Sequence, residues 1–551
     1  MMKGSEIFLN TLKARGLTTI YGIVGREAEV IMFDEVKGLD FILTRDERSA
    51  AFMADMQGRL TGRAGVCYST FGPGATNLVT GVASAYTDRA PLLAVSAQVE
   101  KDSIHSSTHQ CVDQVSLMRP IVKYSKEVTD IKNLEKEILR AVMIAESGLP
   151  GPCFLSVPLD LFKQEGVYEG ATGITKTKDI KIRGDRRIEA LDKKKNSLSD
   201  FSSFLSGCRH PVCIVGSNIF DEKEKAALTE LLNCLKVPVV VTYSGKRSLS
   251  CFHDCYLGTV SKYLDSFTPG VLSEIFHAAD SVILIGLDMV EGVDSSLWLY
   301  GKKKKICVIN SILKYSNSSK PVDLILFNPL KDIVDYLKAN LEKKFFSLND
   351  LNQAKKRIEK TKDKVLENKR GLCAFGVVEI INKVLAPDDI VISDVGIHKQ
   401  LMSLYYQAKK PNRFFCSNGL GSMGFGLPAA IGAKKTFPTK RVVTICGDGG
   451  FHLSSHELET TIRYHLPVVC LIFHDASVGL IRHYQKKGFD KTNSGITDFG
   501  KIDFVKLAEA NGCKGCRVFS KNQLRVKLKK ALDADTTTVI EIPLKREEYI
   551  F

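Results

Sequence analysis

Long hydrophobic runs are absent from this sequence of 551 residues, and their absence excludes whole classes of protein. No apolar stretch approaches the roughly 20 residues that a membrane-spanning helix needs. Residues 1–16 have the pattern of an amphipathic helix and lack the apolar core of a signal peptide. The sequence therefore predicts no association with a membrane, and the cytoplasm is the expected compartment.

Paired metal-ligand motifs are also missing. Cys251, His253 and Cys255 have metal-like spacing, as do Cys513 and Cys516, but neither group has a second ligand pair nearby in the sequence. Most of the 15 cysteines lie in apolar contexts, which is typical of reduced thiols that pack as small hydrophobic groups. We expect no metal at either cysteine group.

Nucleic-acid motifs are missing too, although the net charge is +15. The lysines fall in separate clusters at residues 176–195, 302–305 and 355–369, without interleaved aromatic residues. Such clusters are typical of solvated linkers and of proteins that attract small anions. The sequence predicts no binding of nucleic acid.

What is present is a regular alternation of apolar strand patterns with helical patterns. The chain is too long for one core, and the alternation predicts the α/β class, with three doubly wound α/β domains. The predicted domains are residues 1–165, 197–345 and 371–551, joined by linkers at 166–196 and 346–370. The predicted strands are 20–24, 41–44, 65–70, 91–97 and 153–157; then 212–215, 237–242, 281–285, 305–309 and 322–326; then 389–393, 442–446, 468–473 and 539–542.

The stretch from Arg441 to Ser477 carries most of the functional information. A buried strand leads into a glycine turn that contains Asp448, and after a helix a second strand ends at Asp475. Two strands joined by a helix lie parallel, so both carboxylates are expected at one sheet edge. Glycines allow backbone N–H groups to approach a phosphate, and two carboxylates can hold a hard divalent ion. The stretch predicts a site for a metal-bound diphosphate.

The GDG triplet with Asp475 following Asp448 by 27 positions resembles the motif of thiamine-diphosphate enzymes. The resemblance implies that Asp448, Asp475 and the backbone carbonyl of Ser477 hold Mg²⁺, with Gly449 and Gly450 beside the diphosphate.

Two segments of the first block resemble the half of the site that holds the cofactor's pyrimidine. The segment RDERSAAFMAD at residues 45–55 resembles the one in which this family carries an activating glutamate, which would be Glu47 here. A carboxylate at that place shifts the aminopyrimidine toward its imino tautomer. In STFGPGATN, residues 69–77, the resemblance implies that Thr70, Pro73 and Asn77 line the pyrimidine.

His109, Gln110 and Lys123 are further candidate catalytic residues. His109 and Gln110 lie in a predicted loop, where they either face a ligand or cap a helix. Their pair resembles the one in flavin-free acetolactate synthases and in carboxyethylarginine synthase. Lys123 faces a substrate carboxylate in one interpretation and is a charge at a strand edge in the other.

In the third block, DVGIHKQ follows a predicted strand. The resemblance implies that Val395, Gly396 and His398 contact the diphosphate, and that Gly421 and Met423 lie under the thiazolium ring. Met423 would wedge the cofactor into a bent shape; its alternative role is core packing.

The central block has a Rossmann-like layout without a GxGxxG motif. Acetolactate synthases that carry FAD have an RFDDR-like segment where this chain has GLDMVEGVDSSLW, residues 286–298. We therefore expect thiamine diphosphate and Mg²⁺ as cofactors and no FAD.

Different segments of the chain resemble two different members of the family, which catalyse different reactions. Residues 21–45 resemble carboxyethylarginine synthase, which joins a unit from glyceraldehyde-3-phosphate to an amino acid, arginine. GIHKQLMS and NGLGSMGFGLPAAIGA resemble acetolactate synthase instead, and Lys399-Gln400 replaces an Arg-His pair of the former enzyme. The favoured prediction is an acetolactate-type synthase that forms a cofactor-bound carbanion from pyruvate or a related carbonyl donor and transfers it to an acceptor.

The small-molecule substrates are then a 2-oxo acid or a triose phosphate. An inactive regulatory or scaffold homologue is the alternative from another class. Because this family builds each site from two subunits, we expect a homodimer or homotetramer. Only residues 543–551 follow the last predicted strand, so a lid over the site would be short or come from elsewhere.

Overall fold

The computed structural model describes residues 1–31, 33, 36–104, 106, 108–170, 197–260, 270–293, 304–310, 322–341, 345–367 and 372–546. Within these ranges, no helix is long and apolar enough to span a bilayer. Most of the predicted linker at 166–196 lies outside the described residues. The predicted linker at 346–370 is largely one helix, Leu348–Glu367.

The first domain is built on a parallel sheet of six strands in the order β3-β2-β4-β5-β7-β6. A short antiparallel pair, β1 with β8, lies apart from it. The strands are β1 (Met2–Lys3), β2 (Thr19–Ile23), β3 (Asp40–Leu43), β4 (Gly65–Ser69), β5 (Leu92–Gln98), β6 (Tyr124–Glu127), β7 (Pro152–Pro158) and β8 (Glu165–Gly166). The helices are Gly4–Ala14, Glu47–Thr61, Pro73–Thr87, Gln114–Met118, Ile131–Glu146 and Leu159–Lys163, with 3₁₀ turns at Arg26–Glu29, Lys101–Ser103 and Arg119–Ile121.

The central domain has a second parallel sheet, in the order β11-β10-β9-β12-β13-β14. Its strands are β9 (Pro211–Val215), β10 (Val239–Thr242), β11 (Tyr256–Val260), β12 (Ser281–Ile285), β13 (Lys305–Ile309) and β14 (Leu324–Leu326). Its helices are Leu198–Ser206, Glu222–Leu235, Gly270–Ala278 and Leu330–Asn340, with 3₁₀ turns at Ser244–Arg247 and Met289–Glu291.

The third domain has a parallel sheet in the order β16-β15-β17-β18-β20-β19. Its strands are β15 (Ile390–Ser393), β16 (Phe414–Cys416), β17 (Val442–Gly447), β18 (Val469–His474), β19 (Lys514–Arg517) and β20 (Thr538–Pro543). Its helices are Ala374–Val384, Ile397–Tyr405, Gly426–Thr436, Asp448–His452, Leu458–Arg463, Gly479–Phe489, Phe504–Ala510 and Lys521–Leu532, with 3₁₀ turns at Ser455–Glu457 and Ser494–Ile496.

The predicted fold class is confirmed: the chain forms three doubly wound α/β domains. The inner strands, which are buried on both faces, stand out as apolar runs in the sequence. Six of the described strands were not predicted. β6, β11, β16 and β19 each lie at the edge of a six-stranded sheet, and β1 and β8 form the short antiparallel pair. An edge strand is short or only half-covered, so its apolar pattern is weak.

The first and third domains pack through two helices, Glu47–Thr61 and Gly426–Thr436. Their backbones approach closely at Gly432, where a Cβ atom would lie 2.4 Å from the carbonyl oxygen of Met53. The Phe52 and Phe425 rings meet edge to face in the same contact. This interface fixes the relative position of the two domains within one chain.

A buried ion cluster lies beside this interface. The Arg59 guanidinium donates hydrogen bonds to Asp55 at 2.7 Å, to Asp88 at 3.1 Å and to the carbonyl of Cys416 at 3.0 Å. Asp88 in turn accepts a hydrogen bond from the backbone N–H of Gly419 at 2.9 Å. The cluster thus ties the first domain to the segment of the third domain that leads to Gly421 and Met423.

Candidate functional site

The carboxyl edge of the third sheet gathers the loops that follow β15, β17 and β18. The strand order reverses between β15 and β17, the place where open α/β sheets bind ligands. Asp394 follows β15 directly and is fully buried. It accepts hydrogen bonds from the backbone N–H groups of Val395 (2.6 Å), Gly424 (3.1 Å) and Gly426 (3.2 Å). Burial raises the pKa of this carboxyl to about 6. Asp394 therefore organises the edge, although we had not singled it out in the sequence.

Met423 lies next to the GDG turn. A Cβ atom at Gly449 would lie 3.2 Å from the Met423 Cε atom and 2.8 Å from the Phe499 ring. A Cβ atom at Gly450 would lie 3.0 Å from a carboxylate oxygen of Asp394. A side chain at Gly449 or Gly450 would have to displace the Phe499 ring or the Asp394 carboxylate, and the structure brings Met423, Gly449 and Gly450 together.

His398 is buried beside the same turn. Its ring lies 2.6 Å from the position of a Cβ atom at Gly396 and 3.2 Å from one at Gly447. Burial lowers the pKa of His398 to about 3, so the imidazole is neutral. Its Nε2 atom is buried and has no hydrogen-bond partner among the described residues. A neutral, unpaired ring nitrogen in this position is available to a ligand.

Asp448 and Asp475 lie at the ends of neighbouring strands. The backbone N–H of Gly449 donates to Asp448 Oδ1 at 2.7 Å, whereas Asp448 Oδ2 is buried and has no hydrogen-bond partner in the described part of the chain. Burial raises the pKa of Asp448. Burial and then the negative charge of Asp448 raise the pKa of Asp475 to about 6. Two carboxylates in this state are stabilised by a divalent cation between them.

The backbone carbonyls around Asp475 are almost all committed to protein donors. The carbonyl of His474 accepts from Leu544 N–H at 2.9 Å, that of Ala476 from Phe499 N–H at 2.9 Å, and that of Val478 from Ile481 N–H at 2.9 Å. The carbonyl of Asp475 accepts from the Arg546 side chain at 2.9 Å. The Ser477 carbonyl receives no hydrogen bond from any described residue. One carbonyl and two carboxylates are oxygen ligands of the type that Mg²⁺ prefers, so these residues fit the ion.

His474 stands beside the carboxylates. Its Nδ1 atom is hydrogen-bonded to Glu541 at 2.8 Å, and its Nε2 atom lies 4.0 Å from Asp448 Oδ2. The hydrogen bond to Glu541 raises the pKa of His474. Glu541 belongs to β20 and was not expected at this site, since it lies far from His474 in the sequence.

The first domain carries the second group of predicted residues. Glu47 is the first residue of its helix and is buried, and Asn77 Nδ2 donates to its Oε2 atom at 3.0 Å. The Thr70 hydroxyl donates to Glu27 at 3.0 Å, and Gly25 N–H donates to the other oxygen of Glu27 at 2.8 Å. The structure therefore brings Glu47 and Asn77 together, and it adds the fully buried Glu27, which sequence reasoning missed.

His109 and Gln110 are exposed next to the glycine turn that precedes Pro73. Gln110 has a positive φ of 59°, and its backbone packs against Gly72, where a Cβ atom would lie 2.7 Å from its carbonyl oxygen. Lys123 differs from the other candidates. Its ammonium group donates to the carbonyls of Ile144 and, at 2.7 Å, Ser147, at the end of a helix. This geometry favours the structural interpretation of Lys123.

The two groups of residues make no direct polar contact with each other in the described part of one chain. Among the described residues, no hydrogen bond or ion pair joins Glu47 or Asn77 to Asp448 or Asp475. No cluster of three His, Cys, Asp or Glu side chains suited to a metal occurs in the described residues either, which covers both cysteine groups. All 15 cysteines lie in the described residues, and none of them forms a disulfide.

Comparison with known proteins identifies the family to which the chain belongs. Three family profiles match the chain in order: the N-terminal TPP binding domain of thiamine pyrophosphate enzymes at residues 2–117, their central domain at 198–337, and their C-terminal TPP binding domain at 394–542. The chain belongs to the thiamine pyrophosphate enzymes. Both the predicted family and its dependence on thiamine diphosphate are thereby confirmed.

Within that family the chain is an acetolactate synthase-like enzyme. It is 31% identical to an acetolactate synthase of Bacillus subtilis, over 100% of this chain and 94% of the relative. It is 31% identical to a probable acetolactate synthase large subunit of Methanocaldococcus jannaschii, over 99% and 93% of the two chains. It is 28% identical to an acetolactate synthase large subunit of Lactococcus lactis, again over 99% and 93%.

Proposed function

We propose that this enzyme is an acetolactate synthase, which decarboxylates pyruvate and joins the resulting two-carbon unit to a second 2-oxo acid. The observation that carries the proposal is the similarity to acetolactate synthases over the full length of the chain, which includes both groups of site residues. We also propose Mg²⁺ as the metal that accompanies thiamine diphosphate.

The residues of the first domain act on the pyrimidine side. When bound, thiamine diphosphate supplies a carbon nucleophile and a sink for the electrons of the broken C–C bond. Glu47 holds a proton against the ring nitrogen of the aminopyrimidine, and Asn77 keeps the carboxylate in place. Thr70 and Pro73 line the ring, and His109 and Gln110 face the reacting atoms from the neighbouring loop. Lys123 has no part in this proposal, because its ammonium holds the end of a helix.

The residues of the third domain hold the diphosphate side. Asp448, Asp475 and the Ser477 carbonyl bind Mg²⁺, while Gly449 and Gly450 leave room for phosphate oxygens at their backbone N–H groups. Val395, Gly396 and neutral His398 contact the diphosphate from the loop after β15. Gly421 and Met423 support the thiazolium ring.

The position of Lys399 favours a small 2-oxo acid as donor over a triose phosphate. Its Nζ atom lies 3.2 Å from the carbonyl of Ser417 and 3.3 Å from Asn418 Oδ1, and Gln400 is buried. A phosphate dianion is recognised best by a bidentate arginine, which this pair does not supply. A lysine already engaged with the backbone adds little to phosphate binding.

The test compares two reaction mixtures by mass spectrometry of the products. Both contain the enzyme, thiamine diphosphate and Mg²⁺; one contains pyruvate, and the other contains glyceraldehyde-3-phosphate with arginine. Acetolactate in the first mixture supports the proposal. If carboxyethylarginine forms in the second mixture and no acetolactate forms in the first, the proposal is wrong and the enzyme is a carboxyethylarginine synthase.

We propose further that the central domain binds no FAD. Glu291 fills the edge where the order of that sheet reverses, between β9 and β12. Its carboxylate accepts from the backbone N–H of Ser217 at 3.0 Å and of Asp288 at 3.2 Å, and from the Thr242 hydroxyl. These donors would otherwise be available to a dinucleotide phosphate. A flavin absorption band in the purified protein would contradict the proposal.

Finally, we propose that two subunits share each site in a homodimer or homotetramer. Among the described residues, no hydrogen bond or ion pair joins the two groups of site residues within one chain. The surface beside the third-domain group exposes large apolar side chains. These are Ile481 (43% exposed), Tyr484 (38%), Phe489 (74%), Ile496 (67%) and Phe499 (42%). Exposed apolar side chains in such number mark an interface.

A further inference from the structure

The segment that follows β20 turns back onto the metal-binding loop. Leu544 N–H donates to the carbonyl of His474 at 2.9 Å. Arg546 Nε then donates to the carbonyl of Asp475, and Arg546 Nη2 to the carbonyl of Ala476, both at 2.9 Å. Three successive carbonyls of the loop are therefore bound by two residues of this segment.

Arg546 is itself anchored by Asp498. Its Nη1 atom donates to Asp498 Oδ2 at 2.7 Å, and Arg482 donates to the other oxygen of Asp498 at 2.8 Å. Asp498 also forms an isolated antiparallel bridge with Ser477. Asp498 thus fixes the orientation of the guanidinium, whose Nε and Nη2 donors point at the loop.

The loop needs such support because its backbone is unusual. Ala476 has a positive φ of 52°, which is rare for a residue with a side chain. This conformation turns the chain between the two proposed Mg²⁺ ligands, Asp475 and Ser477. The carbonyls of Asp475 and Ala476 point to the Arg546 side, so that the Ser477 carbonyl is left for a cation.

We propose that Arg546 is a positioning residue for Mg²⁺: it fixes the loop so that Asp475 and the Ser477 carbonyl converge on one ion. The inference rests on the proposed function in one respect, namely that these two residues are ligands. In this proposal Arg546 acts through the loop and is not itself a ligand of the metal. Residues that orient metal ligands without binding the metal typically contribute 10- to 100-fold to the affinity, roughly.

The experiment measures metal binding directly, without reference to turnover. Mg²⁺ is titrated by calorimetry at saturating thiamine diphosphate, and Mn²⁺ is used in parallel as a spin probe by electron paramagnetic resonance. For Arg546→Gln we expect Mg²⁺ affinity to fall by about 10-fold or more. For Arg546→Lys we expect an intermediate loss, because an ammonium cannot donate in one plane to two carbonyls and a carboxylate.

Arg525→Gln is the matched control, because Arg525 is exposed and its one hydrogen bond to a described residue goes to Asn522 in its own helix, at 2.9 Å. We expect its Mg²⁺ affinity to equal that of the wild type. Should Arg546→Gln fold poorly, Arg546→Lys and Asp498→Asn test the same contact, and both should weaken Mg²⁺ binding while the melting temperature of the metal-free protein is kept.

The inference is overturned if the Arg546 variants bind Mg²⁺ and Mn²⁺ as tightly as the wild type, or if Arg525→Gln weakens binding equally. Failure of the proposed function has a different signature. In that case the wild type itself would show no Mg²⁺-dependent binding of thiamine diphosphate, and the inference would fall with it.

Discussion

Glu47 is buried at the start of its helix with Asn77 as its hydrogen-bond donor, which makes it the sharpest single-residue test of the site. Glu47→Gln is nearly isosteric, so we expect the variant to fold and bind thiamine diphosphate. Turnover should fall by roughly 10² to 10⁴, the usual contribution of a general acid–base group. The direct measurement is hydrogen–deuterium exchange at the thiazolium C2 by NMR.

Glu29→Gln is the control for this substitution, since the Glu29 side chain is 66% exposed. It should leave both turnover and C2 exchange unchanged. Exchange in Glu47→Gln at the wild-type rate would remove Glu47 from its assigned role.

The two carboxylates of the metal site should respond unequally to substitution. Asp448→Ala removes an oxygen ligand, so we expect loss of Mg²⁺-dependent cofactor binding. Asp475→Asn keeps an amide oxygen that can still bind Mg²⁺, so its effect should be mild. Calorimetric titration of both variants checks the difference, and equal damage would mean that the ligands are wrongly assigned.

The raised pKa of Asp475 predicts how stability depends on pH. Its pKa in the folded protein is about 6 against an ordinary value of 3.8, so the folded state binds more protons between these two values. Ionisation of Asp475 therefore lowers the stability of the metal-free protein as pH rises through that window, by at most about 3 kcal/mol. Asp475→Asn should remove this loss and should raise the melting temperature of the metal-free protein at neutral pH.

Differential scanning calorimetry of the metal-free protein from acid to neutral pH measures this effect. Asp535→Asn is the control, because the Asp535 side chain is 94% exposed and its removal should not change the pH profile. A wild-type profile that matches Asp475→Asn across the window would show that the charge of Asp475 carries no such penalty.

The positions of residues were predictable where one short segment carries the pattern. Asp448 and Asp475 were found because the spacing of one strand–helix–strand unit brings them to one edge. Asp394, Glu27 and Arg546 were not, since the role of each depends on partners in segments remote from it. Lys123 was ambiguous for the same reason: only the fold shows which carbonyls its long side chain reaches.

At the scale of secondary-structure elements, the contact of the two interdomain helices gives a clear prediction. Gly432→Ala would place a Cβ atom 2.4 Å from the carbonyl oxygen of Met53, so the helices must move apart. We expect destabilisation of about 1–3 kcal/mol, the usual effect of overpacking, measured by urea unfolding. The change should also weaken cofactor binding if it displaces the segment before Met423.

Gly270→Ala is the control for this helix contact, because Gly270 is also in a helix but no described residue lies within 4 Å of an added Cβ atom. We expect it to stabilise the protein by about 0.5–1 kcal/mol, since alanine restricts the unfolded chain. If the two substitutions change the free energy of unfolding equally, the packing of the two interdomain helices does not require a glycine at position 432.

For the whole molecule, the proposal that two subunits share each site predicts that two inactive variants recover activity when they are mixed. Glu47→Gln and Asp448→Ala are each expected to be inactive, but a mixed dimer contains one site with both residues intact. With random exchange, half of the dimers are mixed and one site in two is intact in each, so about a quarter of the wild-type activity should return.

The measurement mixes the two purified variants under conditions that permit subunit exchange and follows acetolactate formation with time. Each variant alone, treated in the same way, is the control. If both halves of the site came from the same chain, no mixture would be more active than its components.

The first and third sheets have the same strand order when the six strands of each are numbered along the chain, whereas the central sheet has a different order. The two matching orders are β3-β2-β4-β5-β7-β6 and β16-β15-β17-β18-β20-β19. A shared order of this kind is what duplication of an ancestral gene leaves behind. In the proposed site, one of these two like sheets would face a heterocycle and the other an ion, so two domains of the same topology would serve opposite ends of a single ligand.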